Sequence, residues 1–580
     1  MNHPRSKSRV SLALTGSFLL GAVVASGQPS ATPRMDVVLA PGAVAPDGTV
    51  QGLNVTFTLS DVEVAAGEPL LKLALVSSNV DTVATTLEKL EARDDHGSLE
   101  LVVTTDEESS AGAARHWAPA RDVEGDVHVS YDVPIENNAG ARGAAPPTEF
   151  RSEHGGVSAA GSIFLLLPED AAPRRYSLRW DLGALPAGAV ALSSYGVGDV
   201  EIATALAPER FAGSYFMAGA IGHYPDNGDA PGFFGGWQGI PPFDANSLMQ
   251  WGERLHGWFL DFFRPAEAQA FGVFMRSNPV NPGGGVSLGN SFVVTYDAAT
   301  DVEPLKLTLA HEMFHSFVHS LDAPQGLEAS WFGEGLAVYY QRLLPLRAGQ
   351  LSPAAFLEDL NETAGRYYTN ALLDTPNAQI PARFWEDTRV RVLPYDRGSM
   401  YFARLDHRIR TASGGERSLD DLLLAMLELR RAGHPMDRAA WTRLVTEELG
   451  DAGKTGFESM LAGELMLPDS DAFGPCFVRT EKPLRRYQLG FEPRVLIENP
   501  RIVRGLLPES AAARAGLQNS DEILKPVGQD ALQGDQDGWI DLDIHRGQRM
   551  FQVRYQPRGE TVQAYQWTRR SDVPDSACAY

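Results

Sequence analysis

Cysteine is almost absent from this chain: its 580 residues carry two, Cys476 and Cys578. With no Cys-x-x-Cys pair, neither is expected to bind zinc. In an oxidising compartment, two cysteines and no more suggest one disulfide, bracketing the last part of the chain. Positive charge is scarce as well. Fifty Lys and Arg stand against 74 Asp and Glu, a net charge of −24. Without Arg5, Lys7 and Arg9 it is about −27. Such acidity argues against nucleic acid or an anionic membrane surface as partner. There is no helix-turn-helix, zinc-finger or RNA-binding signature either. Beyond the N-terminus no stretch approaches the roughly 18 apolar residues of a membrane span.

The N-terminus is the exception. Arg5, Lys7 and Arg9 precede an apolar run over 10–24, and Ala25-Ser26-Gly27 offers a small-residue cleavage site before Gln28. Residues 1–27 therefore read as a signal peptide, softened by Ser11, Thr15 and Ser17 and too short for a permanent span. No cysteine follows it, which excludes the usual bacterial lipid anchor. The expected location is periplasmic or secreted, with no membrane span after signal cleavage.

The remaining length calls for several domains. Residues 28–205 hold short apolar runs at 55–59, 70–75, 99–103, 127–131, 162–167 and 176–180, separated by Gly, Pro, Asn and Asp. That spacing predicts an N-terminal all-β sandwich. From 206 to 470 the pattern turns mixed and then helical. Strands are expected at 214–221 and 271–275, helices at 248–263, 398–411, 418–431 and 437–449, and an edge strand at 291–296. A last β-rich segment spans 478–570.

Chemistry concentrates in thirty residues. His311-Glu312-Met313-Phe314-His315 is followed by eighteen residues and then Glu334, within Trp331-Phe332-Gly333-Glu334-Gly335. On a helix, His311 and His315 lie one turn apart on one face and can reach a single metal ion. Glu312 points roughly 100° away around the axis, placed to take a proton from a water activated by that ion. Glu334, on a second helix, would complete a three-ligand zinc set with a fourth position open. His319, a turn further on, reads as an outer partner or a solvated residue.

These motifs, continued by Leu336-Ala337-Val338-Tyr339-Tyr340, resemble the gluzincin metallopeptidases, in particular the glycyl aminopeptidase family. Tyr395-Asp396-Arg397-Gly398 and Gly414-Gly415-Glu416-Arg417-Ser418-Leu419-Asp420-Asp421 are similar to that family's downstream stretch. The resemblance implies a central α+β and helical, thermolysin-like catalytic domain, one Zn2+ per chain, and peptide or protein substrates. It makes Tyr395 the donor to the oxyanion that forms during hydrolysis. The tail resembles a PDZ domain, on Tyr487-Gln488-Leu489-Gly490-Phe491 as a carboxylate-binding loop and on Ser510 to Leu517 followed by Asp521-Glu522-Ile523-Leu524. A C-terminal peptide is the ligand this implies.

One departure bears on specificity. The family's upstream glycine-rich stretch aligns with Gly284-Gly285-Val286-Ser287-Leu288-Gly289-Asn290-Ser291. Gly284, Gly285, Ser287 and Asn290 are thereby the candidate substrate-binding residues. Ser287 stands where the family's glutamate binds the substrate's free α-amine, with Asp297 and Asp301 as nearby substitutes. A stand-alone amine would lose a charge-assisted hydrogen bond of about 1.5–3 kcal/mol, which leaves exopeptidase action in doubt. Two rival readings remain: a peptide-binding protein on an inactive peptidase scaffold, and a zinc hydrolase of non-peptide substrates.

Overall fold

Alternation of apolar and polar residues organises the first two hundred residues. A computed structural model describes residues 32–107, 112–137, 146–226, 232–266, 270–324 and 326–580. The proposed signal peptide lies outside them. In the strand Gly52–Val64, Leu53, Val55, Phe57 and Leu59 are buried while their neighbours face outward. It pairs antiparallel with Arg34–Pro41 and Val123–Pro134 at the centre of a seven-stranded sheet. A four-stranded sheet contributes Leu71, Leu73 and Trp117 to the core that Val37, Phe57, Tyr131 and Leu178 occupy from the first. The expected strand at 162–167 is corrected: Gly161–Phe164 form one helical turn. A short run buried on every side carries no period, so apolarity could not separate strand from helix.

The next sheet serves two cores at once. Its five strands run in the order Gly222–Tyr224, Phe233–Trp237, Phe271–Ser277, Ser291–Tyr296, Gly285–Leu288. The middle three pair parallel. Phe234, Phe274 and Val293 point into the N-terminal β core, whereas Phe233, Val273, Met275, Phe292 and Val294 point to the helices. This two-sided burial is what parallel strands require. The strand Tyr215–Gly219, grouped by sequence with the catalytic region, pairs with Gly156–Ala160 of the N-terminal region. A second correction concerns the edge: Ser291–Tyr296 is interior, and Gly285–Leu288 is the edge strand.

Helices Ala245–Phe263, Val302–Phe317, Ser330–Arg347, Pro353–Tyr368 and Leu393–Ala412 pack on the other face of that sheet and on one another. Asp301 caps the second by accepting from Glu303 N–H, and Ser352 caps the fourth. No helix among the described residues is long and apolar enough to cross a membrane.

The tail is only partly independent. Arg501–Ile502, Glu522–Ile523, Ile540–Arg546 and Arg549–Tyr555 form a four-stranded sheet over a small core of Leu489, Val495, Leu517 and Ile544. Its flanking strands, Phe477–Tyr487 and Arg558–Arg569, pair with each other and belong to the helical core instead. Asn361 fixes that docking, donating to Trp567 O at 2.9 Å and accepting from Trp567 N at 2.8 Å. Cys476 and Cys578 are disulfide-bonded across 102 residues.

Candidate metal centre and catalytic cleft

The helix Val302–Phe317 keeps Leu305, Leu309, Met313 and Phe314 buried, which turns His311 and His315 toward the neighbouring helix Ser330–Arg347. There Glu334 meets them. The Nε2 atoms of His311 and His315 lie 3.2 Å apart, and each is 3.2 Å from Glu334 Oε2. Ligands around a tetrahedral zinc at about 2.0–2.1 Å stand roughly 3.3 Å from each other, so the triangle matches one face of that polyhedron. His311 Nδ1 sits 2.8 Å from Gln341 Oε1. A carbonyl oxygen only accepts, so Nδ1 carries the proton and Nε2 presents a lone pair. Gln341 is held in turn by Asp359, to which its amide donates at 2.9 Å. A histidine oriented by its other nitrogen is the usual support of a metal ligand. These three residues are the only such His, Cys, Asp and Glu group among the described residues.

Glu312 faces the edge strand. A Cβ on Gly285 would lie 2.6 Å from Glu312 Cγ, so only glycine lets the strand pass this close. Burial pushes the Glu312 carboxyl up to about 7, against the pull of His311, with Glu334 adding to the rise. The Ser287 N–H donates to it. Burial would also raise Glu334, but the imidazoles of His315 and His311 outweigh it and hold that carboxylate well below its usual range. The pair is thus split into a proton-accepting group of near-neutral pKa and an anionic ligand.

Tyr395 enters from the first turn of the helix Leu393–Ala412. Its ring lies parallel to His311 with centroids 6.1 Å apart. Burial, then the charges of Glu334 and Glu312, raise its phenol well above the ordinary value, so it is a hydrogen-bond donor at any physiological pH. Two glycines put it there. A Cβ on Gly335 would lie 2.7 Å from Gly398 Cα, and one on Gly398 would lie 2.8 Å from Gly335 Cα. The Glu334 and Tyr395 helices therefore cross backbone to backbone, one residue beyond Glu334.

The remaining sequence candidates divide. Gly284, Gly285 and Ser287 lie at or on the edge strand beside Glu312. Asn290 lies in the two-residue turn joining that strand to Ser291–Tyr296, at φ 52°, with its carbonyl accepting from Gly272 N–H. Asp301 is a helix cap, and Asp297 closes a turn with Thr300, so neither replaces the missing glutamate by position. His319 lies beyond the end of its helix and is exposed. Sequence reasoning missed Gln341, although it stands two helical turns after Glu334 on the same face.

A family model described as M61 glycyl aminopeptidase matches residues 305–375, the stretch carrying all three ligand residues. The chain is a zinc-dependent peptidase. Its fold is that of an aminopeptidase N family protein from Idiomarina loihiensis, with a TM-score of 0.64 at 14% identity, covering 92% of this chain and 98% of that one. A variant of an M1 zinc metallopeptidase from Deinococcus radiodurans, bound to a Tyr-Ser-Ala substrate, aligns at a TM-score of 0.46 and 16% identity over 75% of this chain and 95% of that one. No curated protein matches the chain. The β-rich N-terminal region followed by a helical domain is thus a fold shared with that aminopeptidase N family protein, and His311, His315 and Glu334 fit one zinc ion.

Proposed function

We propose that this peptidase is exported and cleaves peptide bonds by water attack, with Glu312 as base and Tyr395 as oxyanion donor. Zinc bound by His311, His315 and Glu334 supplies a Lewis acid that activates water at neutral pH. Glu312 takes the proton of the attacking water and returns it to the leaving amine, tasks suited to a carboxyl whose proton affinity burial raises. The Tyr395 phenol donates to the carbonyl oxygen as negative charge develops there. The backbone of Gly285–Leu288, which among the described residues has no strand paired along its outer side, aligns the substrate by strand addition. The observation that carries this reading is the 3.2 Å ligand triangle with Glu312 and Tyr395 beside it. An inactive scaffold would need none of that coincidence.

We also assign the enzyme a tolerance for blocked N-termini, because Ser287 brings no carboxylate for a substrate ammonium and Asp297 and Asp301 are engaged elsewhere. The test is a matched pair of peptides, one free and one N-acetylated, digested by protein whose zinc content has been measured. Comparable cleavage of the two supports the assignment; strong preference for the free amine returns the enzyme to aminopeptidase action. Export rests on the charged and apolar N-terminal pattern and on the Cys476–Cys578 bridge, which an oxidising compartment would maintain.

The segment order of the tail supports a PDZ-like module. Capture of a peptide terminus by strand addition needs an open edge. Here the residues after the Tyr487–Phe491 loop form a 3-10 helix, Pro493–Ile497, and the edge strand Arg501–Ile502 is two residues long. We therefore propose that the module serves the cleft it is packed against rather than a separate ligand.

A further inference from the structure

One short segment of the C-terminal module touches both sides of the cleft. On the edge-strand side Gly528 meets the loop that leads into Gly285: a Cβ there would lie 2.7 Å from Val280 O and 3.9 Å from Asn281 Oδ1. The Asn281 side chain in turn covers Gly284, where a Cβ would lie 2.5 Å from its Nδ2. On the helical side Asp530 accepts from the Thr388 hydroxyl and pairs with Arg391 at 2.5 Å. Gln533, itself buried, donates to Thr388 Oγ1 at 2.9 Å. Thr388–Arg391 is a single helical turn ending just before the helix whose third residue is Tyr395. Asp530 is also among the charges felt at the Tyr395 phenol.

A one-turn helix has little stability of its own. What holds it in place is its caps and its tertiary partners. Asp387 caps its start by accepting from Arg389 N–H. The side chains at its two ends, Thr388 at the first residue and Arg391 at the last, both look to the C-terminal module. We infer that Asp530 is a positioning residue: by clamping Thr388 and Arg391 it sets the entry of the Tyr395 helix, so the C-terminal module is a working wall of the active site. This rests on the assignment of Tyr395 as oxyanion donor. Gly528 then ties the same clamp to the edge strand, so the two lips of the cleft are spaced by one segment of 527–533.

A double-mutant cycle on the full-length, zinc-loaded enzyme tests this, with kcat, KM and zinc content measured for wild type, Asp530→Asn, Tyr395→Phe and the pair. Asp530→Asn should lower kcat about ten-fold with KM within about two-fold, because the loss falls on a contact made in the transition state. In the Tyr395→Phe background the same change should lower kcat by less than about two-fold, since the group it positions is gone. Zinc content should be unchanged in all four. An undiminished kcat in Asp530→Asn overturns the inference. So does a full ten-fold loss in the Tyr395→Phe background, or a raised KM at constant kcat. If Tyr395→Phe alone leaves kcat untouched, it is the tyrosine assignment that fails, and the two failures are thereby distinct. Thr388→Val, which removes the clamp's other half without altering the module, carries the same criteria should Asp530→Asn fold poorly.

Discussion

The two corners of the cleft are assembled by opposite means. The metal corner is local: His311, Glu312, His315 and Glu334 fall within two successive helices, and helical period alone brings the histidines to one face. The corner proposed to hold the oxyanion is not. Tyr395 comes from 61 residues beyond Glu334 and is placed by a glycine-to-glycine helix crossing and by side chains of a module more than a hundred residues further on. Zinc–ligand distances hold to within about 0.2 Å, so the ligands are best set by rigid, short-range spacing. A hydrogen-bond donor aimed at a transient charge must be set against the substrate, and that depends on how separate elements pack.

The contrast can be broken at either corner. The largest effect should come from Glu312→Gln, which removes the proton acceptor and should cost a factor of about 10² to 10⁴ in kcat. Zinc measured in the same protein should stay near one per chain, whereas Glu334→Ala should lose it. Peptide hydrolysis by Glu312→Gln at the wild-type rate would refute its role. Tyr395→Phe should cost about 10²–10³ in kcat, the usual loss of one oxyanion donor, again with zinc retained. A loss of metal in that variant would mean the corners are not separable.

Gly398→Ala sharpens the comparison further. Its Cβ would press on Gly335 Cα and Trp331 O at 2.8 Å each, overpacking worth about 1–3 kcal/mol of stability. Activity should fall beyond what the stability loss explains, because the crossing that aims Tyr395 is forced apart. Gly257, on an exposed helix face with nothing within 4 Å, is the control. There alanine should stabilise by about 0.5–1 kcal/mol and leave kcat alone, as chemical denaturation and kinetics would show.

The smallest effect lies far from both corners. Burial disfavours a charged His116, but hydrogen bonds to Glu169 and Asp106 outweigh it and raise its pKa. A raised value in the folded state gives stability that is complete below the unfolded value near 6.5 and lost as pH rises through the folded one. For a pair this exposed the gain is at most about 1 kcal/mol. Denaturation midpoints of wild type and His116→Asn should therefore differ at pH 5.5 and converge at alkaline pH. A difference that grows with pH would reverse the sign of the argument.

What could be foreseen follows the same division. Most long helices of the catalytic region were legible because amphipathic period survives in sequence, but Pro353–Tyr368 and Asp451–Ala462 were not foreseen, and Leu393–Ala412 begins earlier than its pattern suggests and takes in Tyr395. The 162–167 run was misjudged because burial on all sides erases the period. The edge strand was misplaced because 285–288 holds two small residues and looks like a loop, while 291–296 looks like a strand and is one. Which of two adjacent strands lies outermost depends on pairing partners from Phe271–Ser277, and no local pattern records that.

By itself, then, the amino-acid order determined the His-His-Glu triad, the glutamate beside it and the single cysteine pair, because helix period and residue chemistry act over a few turns of chain. Only the tertiary structure decided that Gly285 passes against Glu312, that Gly335 and Gly398 let two helices touch, and that Asp530 reaches the threshold of Tyr395. Those contacts are close approaches between segments distant in sequence. Each is specified by the absence of a side chain or by one polar pair, and such signals acquire meaning only when the partner is in place.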